Sequence, residues 1–361
     1  MKTLYFSIKS FILLSAFSLF TVGAANGQGC VAIRGYSACS GTSTTSTILK
    51  KGEYSIGSSY RYFKSYKHFR GQHEETERVE QGTQVINLSH FLDVNVSYGI
   101  TDRFSVSLSA PLALNDRSSM YEHGGNSFRQ RKHTNSFGLG DMRLSATYWL
   151  FNPDNTKGNL AIGLGIKAPT GNYNVQGKFY DTMGDYKTAP VDQSIQLGDG
   201  GWGGTFELQG FKTFGTKVFG YVNMYYLANP RATNGVRARN RGDEMSVADQ
   251  YMARIGAAYS AITHGMAFSL GGRVEGIPST DLIGSSAGFR RPGYVISAEP
   301  GVIYAVKKWN FSLTVPIALE RNRIQSYSDK QRTESTGNYT IGDAAFADYS
   351  INFNLAYRIS K

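Results

Sequence analysis

The chain has 361 residues, and 38 Lys and Arg against 27 Asp and Glu give it a formal net charge of +11 at pH 7. Its 41 glycines, 23 tyrosines and 21 phenylalanines, beside only nine prolines, are typical of many strands with aromatic and small-residue faces. Mean hydropathy is -0.30 and no stretch beyond the N-terminus is apolar enough for a transmembrane helix, which leaves a soluble protein or a membrane β-barrel.

The first 27 residues have the features of a secretory signal peptide. Lys2 and Lys9 make the start positive, residues 11–22 form an apolar run, and small residues follow at 23–27. A membrane-spanning signal anchor is the alternative, but crossing a bilayer takes about 20 apolar residues and this run is shorter. The sequence therefore predicts export, with residues 1–27 as the signal peptide and cleavage after Gly27 or Ala25.

Residues 28–51, rich in Ser, Thr and Gly, are predicted to form a periplasmic arm ahead of the first strand. This arm contains both cysteines, Cys30 and Cys39, and in an exported chain they can close a small disulfide loop. Two cysteines without histidines beside them provide no metal site, and no cofactor is predicted.

From residue 52 onward, apolar and polar residues alternate with a period of two, as in 159–168 and 310–320. This pattern is typical of strands with one face toward lipid and the other toward a polar lumen. Twelve strands are predicted, at 52–63, 84–99, 103–113, 138–151, 159–170, 201–213, 217–229, 248–260, 266–276, 292–306, 310–321 and 346–359.

The connections between these strands alternate in length. The short ones are 100–102, 152–158, 214–216, 261–265 and 307–309, and the long ones are 64–83, 114–137, 171–200, 230–247, 277–291 and 322–345. An even number of strands with short periplasmic turns and long outer loops is the plan of an outer-membrane barrel. We therefore predict an all-β fold over 52–361, an antiparallel up-and-down transmembrane barrel of about twelve strands. It would lie in the outer membrane of a Gram-negative-type bacterium, inserted by the barrel-assembly machinery.

Aromatic residues recur at strand ends next to the short turns, where they are predicted to form the periplasmic girdle at the lipid headgroups. They are Tyr54, Tyr98, Phe104, Tyr148, Tyr259, Tyr304, Phe311 and Tyr357.

Charged residues at inward-facing strand positions are candidates for lining the lumen. They are Arg61, Asp93, Asp141, Arg143, Lys167, Glu207, Arg254, Arg273, Glu275, Glu299 and Glu320. Opposite charges can simply pair and fill the interior, or they can set the selectivity of a solute path, and both interpretations stay open. Twelve strands lie between the eight that leave a filled interior and the sixteen or more that leave a wide aqueous channel, so a narrow path is predicted.

Basic clusters occupy the long loops. They are Arg129, Arg131 and Lys132, then Arg231, Arg237, Arg239 and Arg241, then Arg290 and Arg291. These clusters can attract anionic solutes, but contact with outer-membrane lipid phosphates or plain solvation is the preferred interpretation. No basic run carries a nucleic-acid motif, so no nucleic-acid partner is predicted.

Lipid hydrolysis is the enzymatic alternative, because barrels of this size can carry Ser and His on the lipid-facing surface. Of the six histidines only His90 lies within a predicted strand, facing outward between Leu88 and Leu92 with no hydroxyl beside it. The glycine run at 198–204 lacks the Lys-Ser/Thr pair of a phosphate-binding loop. We predict no catalytic residue and no enzymatic activity.

Several short motifs resemble those of transporters of the phenol meta-cleavage (MetA-pathway) family, over most of 84–310. The motifs are YGITDR at 98–103, GLGD at 138–141, KAPTG at 167–171, QLGDG at 196–200, YLANP at 226–230 and RRPG at 290–293. The resemblance implies an outer-membrane barrel for uptake of small organic compounds, aromatic ones among them. It also implies that Asp141, Arg143, Lys167 and Asp199 line the lumen or its outer rim. The cysteine arm and the arginine-rich loops fall outside these motifs, so a phenol-like substrate is not carried over.

These observations together predict a passive outer-membrane channel for small solutes, organic or aromatic ones included, with a narrow charged lumen. The long loops 171–200 and 322–345 are the candidate gates. The alternative is a structural or adhesion barrel whose lumen is plugged by charge pairs and whose outer loops bind the ligand.

Overall fold

The structure, a computed structural model, describes residues 48–123, 130–154, 157–239, 242–261 and 265–360. The predicted signal peptide 1–27, Cys30, Cys39, Arg129 and Arg241 lie outside these residues. So does most of the predicted arm 28–51.

The described residues form mostly strands. They are β1 Tyr54–Arg70, β2 His73–Glu74, β3 Ile86–Gly99, β4 Phe104–Ser119, β5 Lys132–Leu139, β6 Arg143–Trp149, β7 Gly158–Lys167, β8 Gln176–Tyr180, β9 Tyr186–Pro190, β10 Gly203–Phe214, β11 Val218–Ala228, β12 Thr233–Arg237, β13 Glu244–Ser246, β14 Gln250–Ser260, β15 Met266–Ile277, β16 Gly293–Val306, β17 Trp309–Thr314, β18 Ile317–Arg323 and β19 Ala344–Ile359. Two helices, α1 Glu77–Glu80 and α2 Tyr327–Thr336, and the short 3-10 helix Gln193–Ile195 lie in the long connections. No helix among the described residues is long and apolar enough to cross a membrane.

The barrel strands pair antiparallel with their neighbours in chain order and close on themselves. Strand β19 pairs with β1 from Tyr54 opposite Ile359 to Phe69 opposite Ala344. Because β5 and β6 continue one another along β4, and β17 and β18 do so along β16, the closed barrel has twelve strands. The predicted fold class and strand number are confirmed.

The two interrupted strands have local causes. Between β17 and β18, Pro316 has no N–H to donate to the sheet, so the hydrogen-bond ladder is interrupted there. Its carbonyl still accepts from the Ser350 N–H at 3.1 Å. Between β5 and β6, a Cβ on Gly140 would lie 3.1 Å from the Leu197 carbonyl, because a loop crosses the wall there. Both breaks were predicted as uninterrupted strands.

Three strands reach further toward the long loops than the sequence predicted. Strand β1 ends at Arg70 rather than near 63, β4 continues to Ser119, and β5 begins at Lys132. These extensions still pair, as Ser119 does with Lys132. They were missed because strands beyond the membrane need no apolar face, so the alternating pattern fades there while the hydrogen bonds continue.

The outer face of the barrel is apolar and the inner face is polar. Leu164, Ile255 and Leu270 on the outer face are each about two-thirds exposed, as expected for side chains that face lipid. The rings of Tyr54 and Tyr98 lie 4.6 Å apart, and those of Trp309 and Tyr357 lie 4.5 Å apart, both at the short-turn end. The register thus places the predicted girdle residues Tyr54 and Tyr98 side by side, and places the predicted Tyr357 beside Trp309, which was not predicted.

Candidate functional site

A chain of alternating charges crosses the lumen near its middle. Arg61 Nη2 lies 2.7 Å from Glu275 Oε1, and the second oxygen of Glu275 lies 2.8 Å from Arg273 Nη2. Glu299 then lies 3.7 Å from Arg273 and accepts from Arg254 at 3.1 Å. None of these five residues is more than 8 % exposed, so the chain is shielded from bulk water.

The contact between Arg61 and Glu275 joins walls that are not neighbours. Arg61 lies on β1 and Glu275 on β15, with three barrel strands between them by the shorter way round. The pair is therefore a tie across the lumen. Removing one partner of such a buried pair leaves an uncompensated charge and typically costs about 3–5 kcal/mol.

Arg143, on β6, is held much less closely. Its Nη2 lies 3.4 Å from Asp93 Oδ2 on β3, and its Nη1 lies 3.4 Å from the Tyr225 hydroxyl on β11. Good hydrogen bonds from a guanidinium to a carboxylate are about 2.7–2.9 Å long. The guanidinium also stacks over the Tyr225 ring, 5.8 Å from its centre. Arg143 is thus inside the lumen without a short ionic contact.

Lys167, Asp141 and Asp199 form a compact knot at the break between β5 and β6. Lys167 Nζ bonds to Asp199 and lies 3.9 Å from Asp141. Asp141 accepts from the backbone N–H of Gly171 at 2.9 Å and from that of Asp199 at 3.0 Å. The knot therefore ties both ends of the loop 171–199 to the barrel wall.

Glycine lets three stretches of backbone meet at this knot. A Cβ on Gly198 would lie 2.6 Å from both Asp141 Oδ1 and the Gly171 carbonyl, and one on Gly171 would lie 2.9 Å from Gly198 Cα. The motifs GLGD, KAPTG and QLGDG, far apart in sequence, are brought together here. Their glycines have a packing reason that the sequence alone did not reveal.

The two remaining predicted acids differ in their surroundings. Glu207, on β10, is opposite Tyr225 on β11 and Gly163 on β7, and no ion pair within 4 Å involves it among the described residues. Glu320 does not face the lumen, because an irregularity in the pairing of β16 with β18 turns it to the face of Ile296 and Tyr294. It accepts there from the Tyr294 hydroxyl at 2.8 Å, so its predicted inward position was wrong.

Above Arg143 the barrel encloses a cavity of about 100 Å³, the lumen cavity. Its apolar wall includes Phe91, Leu197, Leu227, Met245 and Ile277. Its charged wall consists of Asp141, Arg143, Lys167, Asp199, Arg290 and Arg291. A pocket with an apolar wall and a few converging polar groups has the character of a small-molecule site.

A second cavity of about 210 Å³, the mouth cavity, lies toward the long loops. Polar residues dominate its lining, among them Arg117, Glu122, Asp192 and Asp343. The two cavities share Gln193, Met245 and Arg291. These three residues, which we call the partition, therefore separate the mouth from the lumen.

Asp192 holds the partition in place. It caps the 3-10 helix by accepting from Ser194 N–H at 2.9 Å, and Arg291 binds both of its oxygens at 2.9 and 2.7 Å. Arg117, on β4, lies 3.5 Å away. Burial alone would raise the pKa of Asp192, but the charges of Arg117 and Arg291 outweigh it and hold this pKa well below its usual range. Sequence reasoning missed Asp192 and Arg117, since nothing local shows that a loop aspartate meets a strand arginine.

Arg290 differs from the prediction for basic loop residues. It was expected to be solvated or to contact lipid phosphate, yet it is 1 % exposed and binds Asp281 through both nitrogens, one contact being 2.6 Å. Asp281 also accepts from the Asp249 N–H at 2.9 Å. The pair anchors the loop between β15 and β16, and its partner could not be identified from spacing.

Between the charged layer and the short turns, small polar residues line one side of the lumen. The inward residues of β3, β4, β17 and β19 there are Asn95, Ser97, Ser105, Ser107, Ser109, Ser312, Thr314, Asn352 and Asn354. They bond to one another across strands, as Ser97 does with Ser107 at 2.7 Å and Asn354 with Ser312 at 3.0 Å. We call this the hydroxyl wall, and it offers water both donors and acceptors.

Two further clusters bear on metal binding and catalysis. His68, Glu75 and Asp343 converge, but His68 bonds to Asp343 at 2.7 Å and to the Val85 N–H at 2.9 Å, and Arg78 lies 2.6 Å from Glu75. These donors are engaged with one another rather than arranged around an ion. His90 bonds to the Tyr60 hydroxyl at 2.7 Å, which is a phenol and not the serine that a hydrolase needs.

No protein-family model and no curated protein matches the chain. Among solved structures, it is similar to an outer membrane channel from Pseudomonas putida F1, at 14 % identity and a TM-score of 0.58 over 86 % of this chain and 97 % of that one. It is also matched to the P. putida toluene transporter TodX, at 12 % identity and a TM-score of 0.43 over 93 % and 99 % of the two chains. A Pseudomonas aeruginosa FadL homologue is matched at 9 % identity and 0.41, over the same shares.

The first likeness shows the fold alone, a closed barrel like that of an outer-membrane protein. The other two are too weak to bear on the argument. None of these comparisons singles out the phenol meta-cleavage family, so that resemblance stays a prediction.

Proposed function

We propose that the protein is an outer-membrane channel through which small solutes cross passively inside the barrel. The lumen cavity carries this proposal, because it lies within a closed barrel and shares the partition residues with the mouth cavity. A solute would enter the mouth, pass the partition, rest in the lumen cavity beside Arg143 and leave along the hydroxyl wall. No catalytic residue takes part.

The loop 171–200 is the gate of this channel. Its ends are tied to the wall by the knot at Asp141, and its middle reaches into the barrel, where Arg291 clamps Asp192 through both oxygens and Arg117 lies 3.5 Å away. The loop 322–345 has a lesser part: Arg323 bonds to Asp329 at 3.0 Å, and Asp343 lines only the mouth cavity. Opening the partition therefore requires the Asp192 clamp to break.

Conductance of the refolded protein in a planar lipid bilayer tests both the channel and its gate. Asp192→Asn should increase the frequency of open steps, because a neutral amide no longer balances the Arg291 guanidinium, whereas Arg117 keeps its ion pair with Glu122. Losing even about 1.4 kcal/mol from the closed state raises the open population roughly tenfold. Asp185→Asn is the matched control, since this aspartate is exposed in the same loop.

The pH dependence of the gate follows from the same clamp. The pKa of Asp192 is lower in the folded protein, so the clamp is fully present above the ordinary carboxyl pKa of about 3.9 and is lost only as pH falls through the lower folded value. Open probability should therefore stay constant between pH 7 and pH 5. Silence of both the wild type and Asp192→Asn, with folding verified, would instead support a plugged barrel with binding loops.

A further inference from the structure

The charges that line the lumen cavity differ in how well the protein neutralises them. Lys167 has Asp199 and Asp141, Arg291 has both oxygens of Asp192, and Arg290 has both oxygens of Asp281. Each of these cations is therefore matched by at least one close carboxylate. A solute anion gains little by approaching a cation that already has such a partner.

Arg143 is the exception among the cations of this cavity. Its two polar contacts, to Asp93 and to Tyr225, are both 3.4 Å long. Asp93 uses only one oxygen toward it, and the other oxygen, Oδ1, is buried with no hydrogen-bond partner among the described residues. The fork of the guanidinium, which suits the two oxygens of a carboxylate, is thus not filled by the protein.

Part of the remaining cavity lining is apolar and can contact the apolar body of a solute. Phe91, Leu197 and Leu227 are apolar members of its lining, which also contains the polar side chains of Gln193, Gln196 and Asn234. Its volume of about 100 Å³ is of the same order as the ~150 Å³ apolar cavity that admits benzene. The lumen cavity is smaller than that one but shares part of its lining with the mouth cavity, so it suits a small solute with a single charged group at Arg143.

We infer that the lumen cavity binds small organic carboxylates, with the carboxylate on the Arg143 guanidinium and the apolar body against Phe91, Leu197 and Leu227. This inference rests on the proposed channel function and names the class of solute. The incoming carboxylate takes over the long contact of Arg143 with Asp93, and the Tyr225 hydroxyl adds a donor. Arg143 is then the residue that selects the solute, while the matched cations shape the cavity.

The test measures the benzoate concentration that halves the sodium chloride current of the full-length channel in a planar bilayer. Benzamide, which has the same ring without the charge, and inorganic phosphate, which has charge without a ring, are measured beside it. Benzoate should act at the lowest concentration of the three. Arg143→Gln should weaken benzoate at least about tenfold, and Arg143→Lys less, because lysine keeps the charge but loses the fork.

Two further variants separate recognition from general damage. Arg237→Gln removes an exposed loop arginine that does not line the cavity, and should leave the benzoate effect unchanged. Phe91→Leu should weaken benzoate but not phosphate. Two outcomes would overturn the carboxylate inference but not the channel function. One is that benzoate and benzamide block a conducting channel equally well, and the other is that Arg143→Gln leaves the benzoate effect undiminished. Absence of any current from the folded protein would overturn the channel itself.

Discussion

Two arginines enter the lumen from different walls and are held in opposite ways. Arg61 forms a 2.7 Å contact with a carboxylate across the barrel, whereas the nearest carboxylate oxygen to Arg143 is 3.4 Å away. Both are largely buried and both were predicted at inward positions. The comparison teaches that an inward charge is not by itself functional: the distance to its partner separates a structural tie from a group that a solute can engage.

The largest expected effect comes from removing the Arg61–Glu275 ion pair across the lumen. Glu275→Gln leaves Arg61 and Arg273 without their shared carboxylate in a buried layer, so the free energy of unfolding should fall by about 3–5 kcal/mol. Urea unfolding of the refolded protein in detergent, followed by tryptophan fluorescence, measures this. Arg143→Gln is the paired variant and should cost less, about 1–3 kcal/mol, because its contacts are longer, although it leaves the buried Asp93 without its nearest cation. Equal losses in the two variants would remove the distinction between the arginines.

A smaller effect is expected at the knot that anchors the gate loop. Gly198→Ala would place a Cβ 2.6 Å from Asp141 Oδ1 and from the Gly171 carbonyl, which forces the backbone apart at a cost of roughly 1–3 kcal/mol. Limited proteolysis should then cleave the loop 171–199 faster while the barrel stays intact. Gly204→Ala is the control, since nothing lies within 4 Å of its added Cβ. Matching cleavage rates in the two variants would argue against the knot.

The smallest effect is expected for an exposed ion pair outside the lumen, which tests whether burial matters as well as distance. Lys50 and Asp154 lie 2.9 Å apart, almost as close as Arg61 and Glu275, but both side chains are 59 % exposed. Water already stabilises these charges, so Asp154→Asn should leave the unfolding midpoint unchanged. A clear shift of that midpoint would mean that distance alone, without burial, decides the strength of an ion pair here.

The barrel was predictable from sequence because its cause is local and repeated. Alternation identified all twelve strands, since each strand must present one apolar face to lipid. The extensions of β1, β4 and β5 were not predictable, because no lipid imposes a pattern on them. Glu320 was placed wrongly because a single irregularity in pairing reverses every later position, and such irregularities leave no clear signal in composition.

Only part of the candidate site could be predicted, because the sequence pattern gives the face of each residue but not its contacts across the barrel. Parity placed Arg61, Arg143, Glu275 and Glu299 on the inner face, but which of them meet depends on the curvature of the barrel. Asp192 and Arg291 are separated by nearly a hundred residues and meet only because two loops fold inward. No spacing rule connects them, so the gate could be recognised only in the folded protein.

The seam between β1 and β19 bears on how the molecule is made. One edge of the first strand pairs with β3, and the other pairs only with the last strand, with Tyr54 opposite Ile359, so the strand pairing with the greatest sequence separation closes the ring. Until the final strand has been delivered, both seam edges expose unpaired backbone groups that invite association with other chains. Closure therefore depends on the last strand, because a chain without β19 would leave one edge of β1 and one edge of β17 and β18 unpaired.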